Sequence, residues 1–294
     1  MNIAIVILNR NGADLLPECL ASIRQLKTEP HTLHTVIIDN ASTDTSVELI
    51  DQQFSEMTLL KQDHNLGFAA GNNVGIRWAQ EHHFDAVMLL NNDTKVDPHL
   101  VVNLLQANAP LASPKIYFYP GFEFHHDRYQ DKDRGQVIWY AGGMIDWANV
   151  LGIHTGVDEV DHGQYDQPQN LEFATGCCLL IKTEVFAKIG LLDPKYFLYF
   201  EDLDFCVRAR RASFTIGYVP SATLWHKNAQ SSQSGGDLHQ YYFTRNRLLF
   251  GLRYAPLRTK AALMRQSVKQ LLSGTPAEKQ GVIDFYLHRF GAKP

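Results

Sequence analysis

Two clusters of acidic and amide side chains carry the residue types that could do chemistry in this chain. The first is Asn91-Asn92-Asp93, and the second, Glu201-Asp202-Leu203-Asp204, has three carboxylates in four residues. Carboxylate oxygens hold hard cations such as Mg²⁺ or Mn²⁺, and such a cation can bridge a diphosphate with only one or two protein ligands. Asp93 is placed to supply one of them. Glu201 or Asp202 could instead cap a helix, whose N-terminus stabilises a charged carboxylate.

The elements that must position these clusters follow an alternating pattern. Short apolar runs and helical periodicities succeed one another through the first 110 residues, which predicts βαβ units and a parallel sheet. A further helix is predicted from about 202 to 211, before a strand at 214–219. In the first half, strands are predicted at 3–8, 35–38, 58–60 and 86–90, and helices from about 13, 43 and 70.

Each of the four predicted strands is followed directly by polar residues. Ligands of open parallel sheets bind outside the carboxyl ends of the strands. Loops are usually polar, so one polar exit, meaning the residues that directly follow a strand, would not indicate a site. Four polar exits together predict a binding site at this edge of the sheet. The exits are Asn9-Arg10-Asn11, Asp39-Asn40, His64-Asn65 and Asn91-Asn92-Asp93.

Two familiar phosphate-binding loops are absent from the sequence. No GxGxxG follows the first strand, which disfavours a dinucleotide-binding domain, and no GxxxxGK[ST] occurs, which excludes a P-loop. Phosphates must therefore be held in another way, and a carboxylate-bound divalent cation is the solution that the residues offer.

An ordered set of motifs carries a family resemblance. Residues 6–11, 36–44, 65–73 and 89–93 together resemble the family 2 inverting glycosyltransferases of the GT-A fold, particularly the rhamnosyltransferase-like members. The resemblance covers roughly residues 1–250. It implies an α/β fold of the GT-A type, Rossmann-like, with a mostly parallel central sheet, flanking helices and a C-terminal helical appendage.

The same resemblance implies roles at the donor side. Asp39 would read the imide edge of uracil or thymine, and Asp93 would be the metal-binding end of the DXD motif, in which Asn91 stands where the first Asp is usual. Arg245 could reach the diphosphate or lie on a solvated helical face. The donor-binding residues predicted in this way are Asn9, Asp39, Asn65, Gly71, Asn72, Asn91, Asn92 and Arg245.

Catalysis and acceptor binding are predicted in the second half. The family's "ED" motif falls on Glu201-Asp202, which implies that Asp202 is the catalytic base and that His226, at the family's spacing after it, joins Asp93 on Mg²⁺ or Mn²⁺. Gly176 suits a close approach beside the acceptor, although a turn would also explain it. Trp225 could stack on a sugar or pack in the core. The predicted acceptor-binding residues are Gly176, Glu201 and Trp225.

The C-terminal region differs from the rest of the chain in charge. Residues 245–294 hold ten Lys or Arg against two Asp or Glu, whereas the net charge of the whole chain is −4. We predict a donor-binding half at 1–110, an acceptor-binding and catalytic half at 111–236, and a basic helical region at 237–294, interrupted at Pro256 and Pro276. That region could contact anionic lipid or pack on its own core or on a second subunit.

Composition bounds the compartment and the partners. The apolar run at the N-terminus ends at Asn9, and the four cysteines include no CxxC pair, so the sequence predicts a cytosolic protein without a disulfide framework. Peripheral contact at the inner membrane face stays open as an alternative. The expected partners are a nucleotide-diphosphate sugar and a glycan or lipid-linked glycan acceptor, with no nucleic acid.

The predicted function is therefore metal-dependent, inverting transfer of a sugar, with L-rhamnose from dTDP-rhamnose favoured by the resemblance, in cell-surface polysaccharide or glycan biosynthesis. Two alternatives stay open from the sequence. One is a Mg²⁺-dependent nucleotidyltransferase, although Asn9-Arg10-Asn11-Gly12 offers little of the basic, glycine-rich loop that such an enzyme needs. The other is a nucleotide-sugar-binding module without catalysis.

Overall fold

A computed structural model describes residues 1–227 and 236–293. In these residues twelve β-strands and nine α-helices form a mixed α/β fold. The strands are β1 (Asn2–Asn9), β2 (Thr32–Asp39), β3 (Thr58–Lys61), β4 (Ala86–Asn91), β5 (Thr94–Val96), β6 (Leu111–Phe118), β7 (Ile138–Tyr140), β8 (Gly143–Asp146), β9 (Leu151–His154), β10 (Gln169–Asn170), β11 (Cys178–Lys182) and β12 (Ile216–His226). The helices are α1 (Leu16–Ile23), α2 (Ser46–Gln53), α3 (Gly67–Glu81), α4 (Leu100–Gln106), α5 (Thr183–Ile189), α6 (Glu201–Arg211), α7 (Asp237–Tyr254), α8 (Leu257–Ser273) and α9 (Pro276–Tyr286).

The central sheet confirms the predicted, mostly parallel arrangement. Its main strands lie in the order β12-β6-β11-β4-β1-β2-β3, and all of them except β11 run in one direction. Strands β5, β7 and β10 add antiparallel edges. The carboxyl ends of β1, β2 and β4 therefore meet at one edge, as the polar exits predicted.

The strands of the first half are buried on both faces, which is why they read as continuous apolar runs. Ile3 to Ile7 of β1 are fully buried, and Val36 to Ile38 of β2 are equally inaccessible. Helix α3 packs on this sheet so closely that a Cβ at Gly75 would come within 2.5 Å of Val6.

Helix α3 begins at Gly67, three residues before the predicted start. The carbonyl of Phe197, from a distant loop, accepts a hydrogen bond from the backbone N–H of Phe68 at 2.6 Å. Gly67 itself has φ +76°, which favours glycine. The earlier start thus depends on a tertiary contact that no local pattern reports.

Strand β12 continues past Val219, where the sequence predicts that the strand ends, and runs through Pro220. Its pairing with β6 shifts register between Val219 and Thr223. Such an irregularity lets a strand continue past a proline, which cannot donate a ladder hydrogen bond. The continuation matters because it carries the strand on to His226.

The helices predicted after residue 236 are confirmed as α7, α8 and α9, and α8 and α9 begin at the predicted interruptions beside Pro256 and Pro276. Helix α7 packs against α9 and the body of the domain, with Tyr241, Leu248 and Phe250 buried. No helix in the described part of the chain is long and apolar enough to cross a bilayer. The boundaries at 110 and 236 stay predictions.

Candidate active site

Three buried polar side chains, Asn9, Asp39 and Asn92, meet at the ends of β1, β2 and β4, and we call them the strand-end cluster. Asn9 donates from Nδ2 to Asp39 Oδ1 at 3.3 Å and accepts at Oδ1 from Asn92 Nδ2 at 2.8 Å. Asp39 also accepts from the backbone N–H of Ser42. A Cβ at Gly12 would lie 2.3 Å from Asn9 Oδ1, so only glycine fits there. The fully buried Asn9 therefore orients Asp39 instead of reaching a ligand itself.

A second amide pair lies beside the strand-end cluster, where β2 and β3 lead into α3. Asn40 donates from Nδ2 to Asn65 Oδ1 at 2.9 Å and accepts at Oδ1 from the N–H of Leu66. Asn65 Oδ1 also accepts from the N–H of Gly67. Asn65 is thus beside the cluster, as predicted, but its carbonyl oxygen already has two donors within the protein.

Asp93 and His226 form a buried pair with unused ligand atoms. Asp93 Oδ1 lies 3.1 Å from His226 Nε2, and each residue is about 4% exposed. Apart from this contact, which lacks hydrogen-bond geometry, neither Asp93 Oδ1 nor either His226 ring nitrogen has a hydrogen-bond partner among the described residues. Burial opposes the charge on Asp93, but His226, a backbone hydrogen bond and the charge of Lys227 together lower the pKa of the carboxyl below its usual value.

This donor set fits a divalent cation. Orphaned buried oxygen and nitrogen atoms at this spacing are what a bound metal ion would satisfy, and an anionic Asp93 is the ligand that Mg²⁺ or Mn²⁺ needs. No group of three or more His, Cys, Asp or Glu side chains with metal-site spacing occurs in residues 1–227 and 236–293. Within these residues, the pair therefore offers two ligand side chains to such a cation.

The segment Thr175–Cys177 connects this pair to the predicted base. The carbonyl of Cys177 accepts from the N–H of Asn91 at 2.9 Å, and the charge of Asp93, after burial, helps to raise the pKa of the Cys177 thiol. The N–H of Gly176 donates to Asp202 Oδ2 at 3.0 Å. The turn that bears Asn91 and Asp93 and the start of α6 therefore lie on either side of one short segment.

Glu201 and Asp202 stand at the first turn of α6 in different environments. Asp202 is partly exposed, and its oxygens accept from the N–H groups of Gly176 and Leu203. Burial raises the pKa of Asp202 even though these hydrogen bonds oppose the shift. Glu201 is 5% exposed, and burial followed by the charge of Asp202 raises its pKa well above the usual range. A carboxylate that is accessible yet more basic than usual suits proton abstraction.

The loop at residues 195–200, which leads into Glu201, has an unusual backbone. Phe197, Tyr199 and Phe200 have φ of +63°, +69° and +73°, a conformation that costs roughly 1–3 kcal/mol for each non-glycine residue. Strain of this kind persists only where the surroundings hold it. The loop also links both sides of the site, because Phe197 O accepts from the start of α3.

Arg245 and Asn246 of α7 hold this loop. Asn246 Nδ2 donates to the carbonyls of Tyr196, Leu198 and Tyr199 at 2.7, 2.7 and 3.0 Å. Arg245 Nη2 donates to the carbonyls of Lys195 and Tyr196, both at 3.0 Å, and its Nε donates to Asn246 Oδ1.

Besides the direct contact of Asn9 with the donor, two predicted contacts are wrong, those of Arg245 and Trp225. Arg245 is fully buried, and its guanidinium donates hydrogen bonds to backbone carbonyls, so it does not reach a donor diphosphate. Gly71 allows close packing of α3 on Leu8, where a Cβ would lie 2.5 Å away, and its place in the donor site stays a prediction. Trp225 lies on the opposite side of β12 from His226, where it stacks on Tyr117 and donates to Gly135 O, so it belongs to the packing of that face.

The other predicted residues fall around the site without a direct test of their roles. Asn72 is buried and donates to Phe68 O one turn earlier, so any effect on a donor would pass through α3. Asn91 is partly exposed at the end of β4. Gly176 lies against Phe68 and Asp202, which keeps it a predicted acceptor neighbour.

Sequence reasoning missed Asn246 and the carbonyls that it binds. The run Arg245-Asn246 was visible, but nothing local indicates that α7 would pack against residues 195–200. Ser42 was also missed as an organiser, although its hydroxyl accepts from Asn9 Nδ2 and from the N–H of Asn11. Its place in the Asn40-Ala41-Ser42 turn after β2 was the available signal.

Comparison with known proteins decides the family. The family model described as "Glycosyl transferase family 2" matches residues 3–190. The chain belongs to this family. This assignment removes the nucleotidyltransferase alternative, and it establishes a glycosyltransferase fold and class for the site described above.

Relatives in this family act in glycan assembly. The chain is 25% identical over 220 residues to the "Low-salt glycan biosynthesis hexosyltransferase Agl10" of Haloferax volcanii, covering 73% of this chain and 66% of that protein. It is 26% identical over 232 residues to the "N-acetylglucosaminyl-diphospho-decaprenol L-rhamnosyltransferase" of Mycobacterium tuberculosis, covering 74% and 73%. It is 22% identical to the "dTDP-rhamnosyl transferase RfbF" of Shigella flexneri, covering 84% and 79%.

Solved structures confirm the GT-A fold. One is GalNAc-T7 with UDP, GalNAc and Mn²⁺, with a TM-score of 0.66 at 15% identity over 99% of this chain and 55% of that one. Another is S. aureus TarS 1–349 in complex with UDP, with a TM-score of 0.55 at 12% identity over 95% and 77%. At these identities the likeness shows the fold alone.

Proposed function

We propose that this protein transfers L-rhamnose from dTDP-rhamnose to an acceptor hydroxyl in cell-surface glycan assembly, with inversion at the anomeric carbon. One observation carries the proposal: the Thr175–Cys177 segment brings the basic, partly exposed Asp202 next to the Asp93 turn. The names of the mycobacterial and Shigella relatives support rhamnose as the sugar.

In this mechanism Asp202 accepts the proton of the acceptor hydroxyl as that oxygen attacks the anomeric carbon. The bond from the sugar to the diphosphate breaks in the same step, and the nucleotide diphosphate leaves on the opposite side. Burial raises the pKa of Asp202, which makes its carboxylate a stronger base than an exposed aspartate. The two N–H groups that it accepts from fix the direction of the carboxylate.

Asp93 and His226 would hold Mg²⁺ or Mn²⁺. A cation bound there supplies charge neutralisation for the departing diphosphate. The strand-end cluster orients Asp39 to accept the imide N–H of thymine or uracil, because both carboxylate oxygens are fixed by donors and retain further lone pairs.

The test is a donor panel followed by a transfer assay. We expect dTDP-rhamnose with Mg²⁺ or Mn²⁺ to raise the melting temperature more than UDP- or GDP-sugars, since a ligand that binds the native state stabilises it. Transfer to an N-acetylglucosaminyl-diphospho-lipid, the acceptor class that the mycobacterial relative's name gives, should yield a product of opposite anomeric configuration by NMR.

Three results separate the parts of the proposal. Asp93→Ala should abolish the metal-dependent part of donor stabilisation while leaving the fold intact by circular dichroism. Stabilisation by a donor without transfer to any acceptor or to water would favour the binding module without catalysis. Retention of the donor configuration in the product would overturn the inverting mechanism.

A further inference from the structure

Helix α8 has two apolar faces, and only one of them is covered. Leu263 and Ser267 are buried against the rest of the C-terminal helices. The other face, which we call the α8 outer face, is exposed to solvent, and Leu257 and Leu272 on it are 84% and 78% exposed. Its apolar residues are Leu257, Met264, Val268, Leu271 and Leu272.

The spacing of these residues makes one continuous stripe. Positions 257, 264, 268, 271 and 272 recur at intervals of three, four or seven, so they fall within about one third of the helix circumference. Helix α9 extends the stripe, because Tyr286 OH lies 2.9 Å from Ser267 Oγ beside it, and Ile283, Tyr286 and Leu287 are exposed too. A contiguous exposed apolar surface of this kind marks an interaction site.

The charges beside the stripe are all positive. Arg258 and Lys260 lie near its beginning, and Arg265 and Lys269 follow along one flank. No Asp or Glu occurs between Asp237 and Glu278 in the sequence, and none of the four cations forms an ion pair with any residue that the structure describes. The surface therefore combines apolar area with uncompensated positive charge.

We propose that the α8 outer face docks on the surface of an anionic phospholipid bilayer. An amphipathic helix with Leu and Val on one side and Lys and Arg beside them lies in the plane of such an interface, and each cation near an anionic leaflet adds to the affinity. A second copy of the chain fits less well, since a two-fold contact through this face would bring two sets of cations together.

The binding itself is independent of the chemistry at Asp202, but its use rests on the proposed function. An acceptor on a lipid carrier is presented at a bilayer surface, and a docked enzyme would meet it there. A failure to bind vesicles would therefore contradict the docking proposal alone, and a failure to transfer sugar to a water-soluble acceptor would contradict the proposed function alone.

The experiment is sedimentation of the full chain with vesicles of phosphatidylglycerol and phosphatidylcholine, and with vesicles of phosphatidylcholine alone. We expect binding to the anionic vesicles that weakens as salt is raised. Val268→Asp/Leu272→Asp should lower the partition coefficient at least roughly tenfold, because the apolar stripe then carries charge. The matched control is Met144→Asp/Ile153→Asp, an exposed apolar pair on β8 and β9, which should bind normally.

Charge is tested with Arg265→Glu/Lys269→Glu against Lys27→Glu/Lys132→Glu, which changes the net charge equally elsewhere on the surface. Only the first pair should lose binding to anionic vesicles, and both should retain transfer to a water-soluble acceptor. The proposal is overturned if the intact protein binds no vesicles, or if the two control variants lose binding as much. A dimer in solution that Val268→Asp/Leu272→Asp dissociates, without vesicle binding, would assign the face to a second copy.

Discussion

The strand-end cluster and the 195–200 loop are both held by buried polar contacts. They differ in how the residues that make these contacts are brought together from along the chain. In the strand-end cluster, the side chains follow directly after buried strands, so sheet topology alone brings them together. The loop depends on Arg245 and Asn246, which lie 47–50 residues further along the chain and hold a strained backbone. Under the proposed function, the first region would orient the donor, and the second would present Asp202 as the base. The comparison predicts that damage to them should separate binding from turnover.

The largest expected effect is that of Asp202→Asn. The amide cannot accept the hydroxyl proton, so kcat should fall about 10²- to 10⁴-fold, the usual contribution of a general base. Donor affinity, measured by calorimetry with dTDP-rhamnose, should change little. Glu184→Gln is the control, because Glu184 is also a first-turn carboxylate, on α5, but is exposed. A near-normal kcat for Asp202→Asn would contradict the assignment.

The same assignment fixes the pH dependence of turnover. The base must be ionised, and burial raises the pKa of Asp202, so kcat should begin to fall at a higher pH than an exposed aspartate would allow. Turnover is thus lost as the pH falls through that raised pKa and is regained above it. An acid limb centred at or below the ordinary aspartate value would show that Asp202 is not the titrating group.

The second prediction compares two buried asparagines, each with three or more hydrogen bonds. Asn246→Ala removes the donor to three carbonyls, and Asn9→Ala removes the link between Asp39 and Asn92. Each should lower the free energy of unfolding by about 2–4 kcal/mol, at roughly 1 kcal/mol for each hydrogen bond. Asn246→Ala should mainly lower kcat, whereas Asn9→Ala should mainly raise KM for the donor.

Steady-state kinetics on the folded fraction of each variant provide the measurement. Asn103→Ala, which also loses a hydrogen bond to a carbonyl, that of Ser221, is the control for stability without a kinetic effect. If Asn246→Ala and Asn9→Ala changed kcat and KM in the same proportion, the assignment of donor binding to one region and turnover to the other would be wrong.

The same division explains how much the sequence could predict. The parallel sheet, the polar edge with Asn9, Asp39 and Asn92, and the nearness of Asp93 to His226 follow from strand periodicity, from the rule for strand ends and from the family spacing. Arg245 was misplaced because the orientation of α7 is set by tertiary packing, which leaves no trace in a helical pattern.

The 195–200 loop was beyond prediction for a related reason. Left-handed φ angles usually point to glycine or asparagine, but here Phe197, Tyr199 and Phe200 adopt them. Their conformation is imposed by hydrogen bonds from α7 and by the start of α3, so the information lies in residues far along the chain.

The third prediction concerns the point where the two regions touch. A Cβ at Gly67 would lie 2.5 Å from Phe197 O, and Gly67 has φ +76°. Gly67→Ala should therefore cost roughly 2–3 kcal/mol, from the φ penalty and from separation of α3 and the loop. Gly121→Ala is the matched control, because it has φ +88° but open space, and should cost only about 1 kcal/mol. Urea unfolding measures both, and equal losses would show that the contact with Phe197 contributes nothing.

The smallest effect is expected from Glu201→Gln, and its informative part is the dependence of stability on pH. Burial raises the pKa of Glu201 in the folded protein, so its protonated form stabilises the fold at acid pH, and that contribution is lost as the pH rises through the raised pKa. The glutamine variant does not titrate. Its stability relative to the wild type should therefore increase by about 1 kcal/mol or more for each pH unit between the ordinary glutamate value and the raised one.

Urea unfolding of both proteins across this pH range, with exposed Glu184→Gln as a pH-independent control, gives the measurement. A buried amide at position 201 still lacks a partner for one of its polar atoms, since Glu201 Oε2 has none in the described structure, and this adds an offset that does not depend on pH. The slope of the difference thus reports the buried charge alone. A flat difference would show that neither burial nor the charge of Asp202 raises the pKa of Glu201, and this account of Glu201 would be wrong.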